Sequence, residues 1–175
     1  MLKVAKESHK TISYDPNYRP LLWDHSDNAK EWIIEGLKWA NIVKISDDEV
    51  QFITGEDDMK KAAQMLAKDY QISLLFMTKG KDGSLAICNG RVLEQEGLHV
   101  QPVDTTGAGD SFMASVLHQF LIKRKSISEL TEQDLSEILQ FANTVAAYST
   151  TIKGGFSVVP TLDELEKIVR GVQHV

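Results

Sequence analysis

The sequence predicts an α/β fold with a mainly parallel sheet and one β-hairpin. Three observations predict it. Residues 73–78, SLLFMT, are a short and nearly all-apolar run, the kind of strand that a parallel sheet buries on both faces. Along the chain, such runs alternate with segments of helical periodicity. SLAIC and RVLEQ are joined by Asn89-Gly90, a dipeptide suited to a two-residue hairpin turn.

The elements follow in order. Residues 1–9 read as the end of a helix, with Leu2, Val4 and Ala5 apolar, and TISYD (11–15) as a short strand. Two prolines make PNYRPLLW a loop. Residues 26–40 carry helix start signals and an apolar stripe through Trp32, Ile33, Leu37 and Ala40. NIVKI (41–45) is a strand. Ser46 and Glu49 have capping-box spacing and open a short helix that ends at Gly55. Residues 57–70 form an amphipathic helix, and the strand at 73–78 and the hairpin follow. GLHVQPV (97–103) reads as a further strand. A helix is expected from Asp110, with Phe112, Met113, Val116, Leu117 and Phe120 on one stripe, and another over 132–151. KGGFSVVP is a loop, and a last helix is expected after Thr161.

At 175 residues, 42% hydrophobic and 25% charged, the composition is that of a globular chain, long enough for one domain with its own core. The net charge of −6 and the short basic clusters argue against a nucleic-acid partner. No apolar run is long enough to span a membrane, and MLKVAKESHK lacks the apolar centre of a signal peptide. A lone cysteine, Cys88, excludes a disulfide scaffold within one chain. A cytoplasmic protein is expected.

The densest signal is DTTGAGDSF, residues 104–112. Two glycines allow a tight turn and a close approach to a ligand. A helix that starts there aims its unpaired N–H groups into the turn, which favours an anion such as phosphate. No lysine follows, so this is not a P-loop, and Phe112 stands where a dinucleotide fingerprint needs its third glycine. A dinucleotide-dependent oxidoreductase is disfavoured accordingly. Asp110 beside a phosphate site makes sense as a base that orients a hydroxyl and takes its proton during phosphoryl transfer. The same residues also suit a plain helix cap with no ligand.

With its flanks, this stretch resembles the second signature of the ribokinase-like PfkB family of carbohydrate kinases, roughly D-T-x-G-A-G-D-x-F. The resemblance implies a three-layer α/β/α sandwich and ATP-dependent transfer to a sugar hydroxyl. It implies Asp110 as catalytic base, Gly107, Ala108 and Gly109 as an anion hole, and Asp104 with the Thr106 carbonyl beside a monovalent cation such as K+. TKGKDG resembles the family's T-x-G-x-x-G loop, which implies nucleotide contacts at Thr78, Gly80 and Gly83; it also suits a hairpin turn. SDDE stands where the family has N-x-x-E. Ser46 replaces the asparagine, so only Glu49 carries over, as an indirect partner of Mg2+; the capping box is a strong reading of the same pair, and the two are compatible. Asn143 falls in a region similar to the adenine and cation segment, and a plain amphipathic helix explains it as well.

DPNYRPLLW is similar to fructokinases and to 2-keto-3-deoxygluconate kinases, with fructokinases the nearer. That implies sugar contacts at Asn17 and Arg19, beside Asp110. The family has roughly twice this length. By the resemblance, residues 1–175 are the C-terminal portion of such a kinase, without its N-terminal half and lid. An unpaired sheet edge is then expected, with association to itself or to the missing half. A non-catalytic nucleotide-binding fragment is the alternative from another class.

Overall fold

The computed structural model describes residues 1–154 and residues 161, 163, 164 and 167. Its helices are α1 (Leu2–Glu7), α2 (Ser26–Leu37), α3 (Asp47–Thr54), α4 (Met59–Asp69), α5 (Ala108–Lys123) and α6 (Glu132–Thr150). Its strands are β1 (Ser13–Tyr14), β2 (Ile42–Ser46), β3 (Leu74–Thr78), β4 (Ser84–Cys88) and β5 (Arg91–Gln95). The sheet has the order β1-β2-β3-β4-β5. β1 and β2 pair in parallel, with Tyr14 opposite Val43, and so do β2 and β3, with Ser46 opposite Thr78. Asn89 and Gly90 both have positive φ, 51° and 76°, as the expected hairpin turn needs. The α/β class with a mixed sheet is therefore as expected.

The chain divides into two compact units, residues 1–79 with 85–92, and 80–84 with 93–175. In the first, β2 and β3 bury nearly every side chain. Val43, Ile45, Leu75 and Met77 meet Ile33 and Leu37 of α2, Val50 and Ile53 of α3, and Ala62, Ala63 and Leu66 of α4. Helices on parallel strands supply the apolar cover that such strands need. Trp32 is 65% exposed, so the buried stripe of α2 runs instead through Ala29, Ile33 and Leu37. One helical turn spaces those three, whereas Trp32 precedes Ile33 by one residue and points elsewhere. Lys6 of α1 lies over the Trp39 ring, 5.4 Å from its centroid, while α1 itself buries no residue.

In the second unit, α5 packs along α6. Phe112, Met113 and Val116 of α5 and Leu135, Ile138, Leu139 and Ala142 of α6 are all buried. α5 starts at Ala108, capped by Gly107 in the left-handed conformation (φ 81°), so Asp110 is its third residue rather than its first. Residues 97–103 do not form a strand. Their apolar alternation is present, but a strand exists only through its ladder, and no described strand pairs with them. The segment is fastened at its end, where the Val103 and Asp104 N–H groups donate to the Thr150 carbonyl. Within PNYRPLLW, Pro20–Leu22 make one turn of 3-10 helix. Thr161 and Glu164 exchange capping bonds, but the rest of the last expected helix and residues 155–160 of the glycine loop lie outside the described residues.

α6 begins with a capping box between Thr131 and Asp134. The Asp134 carboxylate also accepts from Lys125 Nζ at 2.6 Å and pairs with Lys123 at 3.2 Å. The Lys125 bond first, and then the Thr131 N–H, hold its carboxyl far below the usual carboxylate range. Because the folded value lies below the unfolded one, about 3.9, this stabilisation is complete near neutrality and is lost as the pH falls below about 4. Asp134→Ala should cost about 0.5–2 kcal/mol at pH 7, the usual range for a lost cap. Urea unfolding of both proteins from pH 7 down to pH 2 checks it. The gap should narrow below about pH 4; a gap constant with pH would refute the assignment.

Candidate active site

The expected site residues fall into two sets, one in each unit. In the second unit, the chain enters the turn at Asp104. Asp104 Oδ1 accepts the Thr106 N–H at 2.9 Å, and Oδ2 accepts the Gly154 N–H at 3.1 Å. The Thr106 bond first, then that of Gly154, hold the Asp104 carboxyl below its ordinary value, so it is charged at neutral pH. It ties the start of the turn to the loop after α6. An ionised carboxylate fixed in this way suits a monovalent cation.

Gly107 then turns the backbone into α5. The Ala108 N–H is spent on the Thr105 carbonyl at 3.2 Å, and the Ser111 N–H on Gly107 at 2.8 Å. Between them, the Gly109 and Asp110 N–H groups have no backbone acceptor among the described residues. The geometry therefore offers Gly109 and Asp110 as anion donors ahead of Ala108. Asp110 is half-buried in the same first turn. Phe112 and Met113, buried just beyond, anchor that turn to the α5–α6 layer.

The two glycines of TKGKDG have different reasons to be glycine. Gly80 is in the left-handed region (φ 54°) with open space around it. Gly83 (φ 95°) is buried against the backbone of Gln95 and Gly97; a Cβ there would stand 2.1 Å from the Gln95 carbonyl oxygen. Asn143 braces the same place. Its Oδ1 accepts from Ser84 Oγ at 2.9 Å, and its Nδ2 reaches the Gln95 and Glu96 carbonyls at 3.4 and 3.5 Å. Asn143 is 8% exposed, and in this structure its polar atoms serve the protein. Sequence reasoning missed Ser84 and Gly97. Ser84 opens a strand and resembles any small polar residue there, and Gly97 resembles a loop glycine.

In the first unit, the set is built at the ends of parallel strands. Asn17 (φ 49°) and Arg19 are exposed on the loop after β1, while Asp15 and Tyr18 are half-buried. Left-handed backbone suits asparagine among non-glycine residues. Tyr18 stacks on Phe52 of α3, with ring centroids 4.4 Å apart. Its N–H donates to Glu49 Oε1 at 2.6 Å, and the Ser46 N–H donates to Oε2 at 2.8 Å. Both oxygens of Glu49 thus serve backbone groups. Thr78 is half-buried and pairs across the sheet with Ser46. Lys44, 5% exposed, meets Asp15 at 3.3 Å. Burial, and then the charges of Glu49 and Asp15, push the Tyr14 hydroxyl above its ordinary value. The Lys44 pair was legible in principle, as a lysine inside the apolar strand run NIVKI. Among the described residues, no three His, Cys, Asp or Glu side chains group to hold a metal ion. None of the described helices is long and apolar enough to cross a membrane.

Comparison with known proteins adds independent findings. Residues 1–162 match the pfkB family carbohydrate kinase. The chain is 34% identical over 170 residues to a protein named probable fructokinase-4 from Arabidopsis thaliana, covering 97% of this chain and 52% of that protein. It is 37% identical over 169 residues to probable fructokinase-6, chloroplastic, of the same plant, covering 94% of this chain and 43% of that protein. The chain thus spans about half the length of the curated relatives it matches. Among solved structures, a fructokinase double mutant from Vibrio cholerae O395, bound to fructose, ADP and a potassium ion, has a TM-score of 0.86 at 27% identity over 96% of this chain and 53% of its own. Aminoimidazole riboside kinase from Salmonella enterica has a TM-score of 0.81 at 28% identity, over 96% of this chain and 55% of its own. The glycine turn, the parallel sheet and these likenesses agree, and the chain belongs to the pfkB family of carbohydrate kinases.

Proposed function

We propose that residues 1–175 are the C-terminal portion of an ATP-dependent sugar kinase, carrying its nucleotide side and its catalytic base, and that the sugar is fructose. One observation carries the reading. Asp110 shares the first turn of α5 with N–H groups that the backbone leaves unspent. A sugar hydroxyl hydrogen-bonded to the Asp110 carboxylate is oriented for attack on the γ-phosphorus. Its proton passes to the carboxylate as the new O–P bond forms and the bond to ADP breaks. The Gly109 and Asp110 N–H groups, at the end of Gly107's turn, take up charge on the transferring phosphoryl. Gly80 and Gly83 shape a nucleotide loop with Thr78 at its start, which Asn143 supports from within. Asn17 and Arg19 would meet the sugar.

Two cations belong to this reading. Potassium would lie beside Asp104 and the Thr106 carbonyl. Magnesium would arrive with the nucleotide phosphates and touch Glu49 only indirectly, since both Glu49 oxygens already accept N–H bonds. A cytoplasmic location and a homo-oligomer complete it. β1, at the sheet edge, is two residues long, and Leu2, Val4, Leu21 and Leu22 are exposed.

The relatives' names favour fructose, and the solved-structure likeness at 27% identity has fructose and ADP bound. The test is ADP formation by the full natural polypeptide, with fructose, 2-keto-3-deoxygluconate and aminoimidazole riboside as acceptors. Fructose should give the highest kcat/KM. Preference for either other acceptor reassigns the sugar; nucleotide binding without any turnover favours a non-catalytic role.

A further inference from the structure

The loop that presents Asn17 and Arg19 is held at two points by β2 and α3. Asp15, before Asn17, pairs with the buried Lys44 of β2. Tyr18, after it, donates its N–H to Glu49 at 2.6 Å and stacks on Phe52 of α3. The half-buried Asp15 and Tyr18 therefore point inward and the exposed Asn17 and Arg19 outward. A left-handed residue at 17 is what allows the chain to reverse its facing between two anchors so close together. Glu49 is 6% exposed and joins three things at once: the loop through Tyr18, the end of β2 through Ser46, and the start of α3 through its own backbone N–H.

We infer that Glu49 and Lys44 are positioning residues for acceptor specificity, clamping the Asn17–Arg19 loop to the β2–α3 junction. Glu49 then acts on the sugar side as well, through the loop it holds. Charge-assisted bonds from a carboxylate to backbone N–H are stronger than neutral ones, so one side chain can hold the loop in place. Small displacements of positioning groups are costly in rate, which is why such a clamp matters to a kinase. The positioning role rests on the assignment of Asn17 and Arg19 to the sugar; the clamp itself does not.

Hydrogen exchange read by NMR on the 175-residue chain tests the clamp without any activity. Glu49→Ala should speed exchange of the Tyr18 amide at least tenfold, while amides in the middle of β3 stay within twofold of their original rates. Ser46→Ala, which removes the α3 cap but not the Tyr18 partner, should leave the Tyr18 amide protected. Unchanged Tyr18 exchange in Glu49→Ala, or equal loss in Ser46→Ala, overturns the clamp. In the full natural polypeptide, Glu49→Ala should raise the acceptor KM about tenfold. An unchanged acceptor KM overturns the positioning role. Arg19→Ala separates the two layers. If it leaves the acceptor KM unchanged while Glu49→Ala still frees the Tyr18 amide, the sugar assignment of the loop fails and the clamp stands.

Discussion

Asp110→Asn should lower kcat for sugar phosphorylation in the full natural polypeptide by about 10²–10⁴-fold, the usual worth of a general base. The amide is nearly isosteric, so the first turn of α5 should keep its shape and its N–H groups. ATP should still bind, with an affinity within about threefold of the original. The expectation follows from the location of the carboxylate. A residue that merely capped the helix would sit at position 107, and the structure gives that place to Gly107. Asp110 has no cap bond to lose, so a large kinetic effect would be chemical rather than structural. Steady-state ADP release and nucleotide titration of the same preparation check both halves. Activity surviving within about tenfold would remove Asp110 from the role of base.

The parts of this molecule that could be read from sequence are those governed by local rules. The capping box at Ser46 and Glu49, the Gly55 terminator and the Asn89-Gly90 turn each depend on a few neighbouring residues, and all three stand as expected. The apolar run at 73–78 likewise becomes β3. What was misread depends on partners distant in the chain. Residues 97–103 alternate like a strand, yet pairing is decided elsewhere. The apolar stripe read from sequence ran through Trp32, yet the face that packs on the sheet holds Ala29, Ile33 and Leu37.

The candidate site divides in the same way. The glycine turn announces itself, because so few backbone shapes suit G-A-G-D. The double duty of Glu49 does not, because its bond to Tyr18 spans 31 residues of sequence. On sequence grounds the capping-box reading of Glu49 was strong, and the functional one was compatible with it. The structure shows the box complete and adds a loop to the same carboxylate. Asn143 shows the opposite case: a residue singled out for a ligand is found bonded to its own protein at Ser84.

Gly83→Ala should be the most damaging conservative change in the proposed nucleotide loop. Two penalties coincide there. The backbone is left-handed (φ 95°), which costs an L-residue about 1–3 kcal/mol. The added methyl would also stand 2.1 Å from the Gln95 carbonyl oxygen and 2.5 Å from the Gly97 N. Those are backbone atoms, so no side chain can rotate away. Overpacking of this kind adds about 1–3 kcal/mol. The sum is a loss of about 2–6 kcal/mol, unless the 80–83 turn swings away from residues 95–97. Such a swing would break the brace at Ser84 and Asn143 and raise the KM for ATP. Gly80→Ala is the control. It shares the left-handed backbone but meets nothing within 4 Å, so only the first penalty applies, about 1 kcal/mol. Urea unfolding of the two variants measures the difference directly. Gly83→Ala should lose about 1–3 kcal/mol more than Gly80→Ala, what overpacking alone contributes. Equal losses would mean that residues 81–83 and 95–97 do not approach as closely as the structure shows.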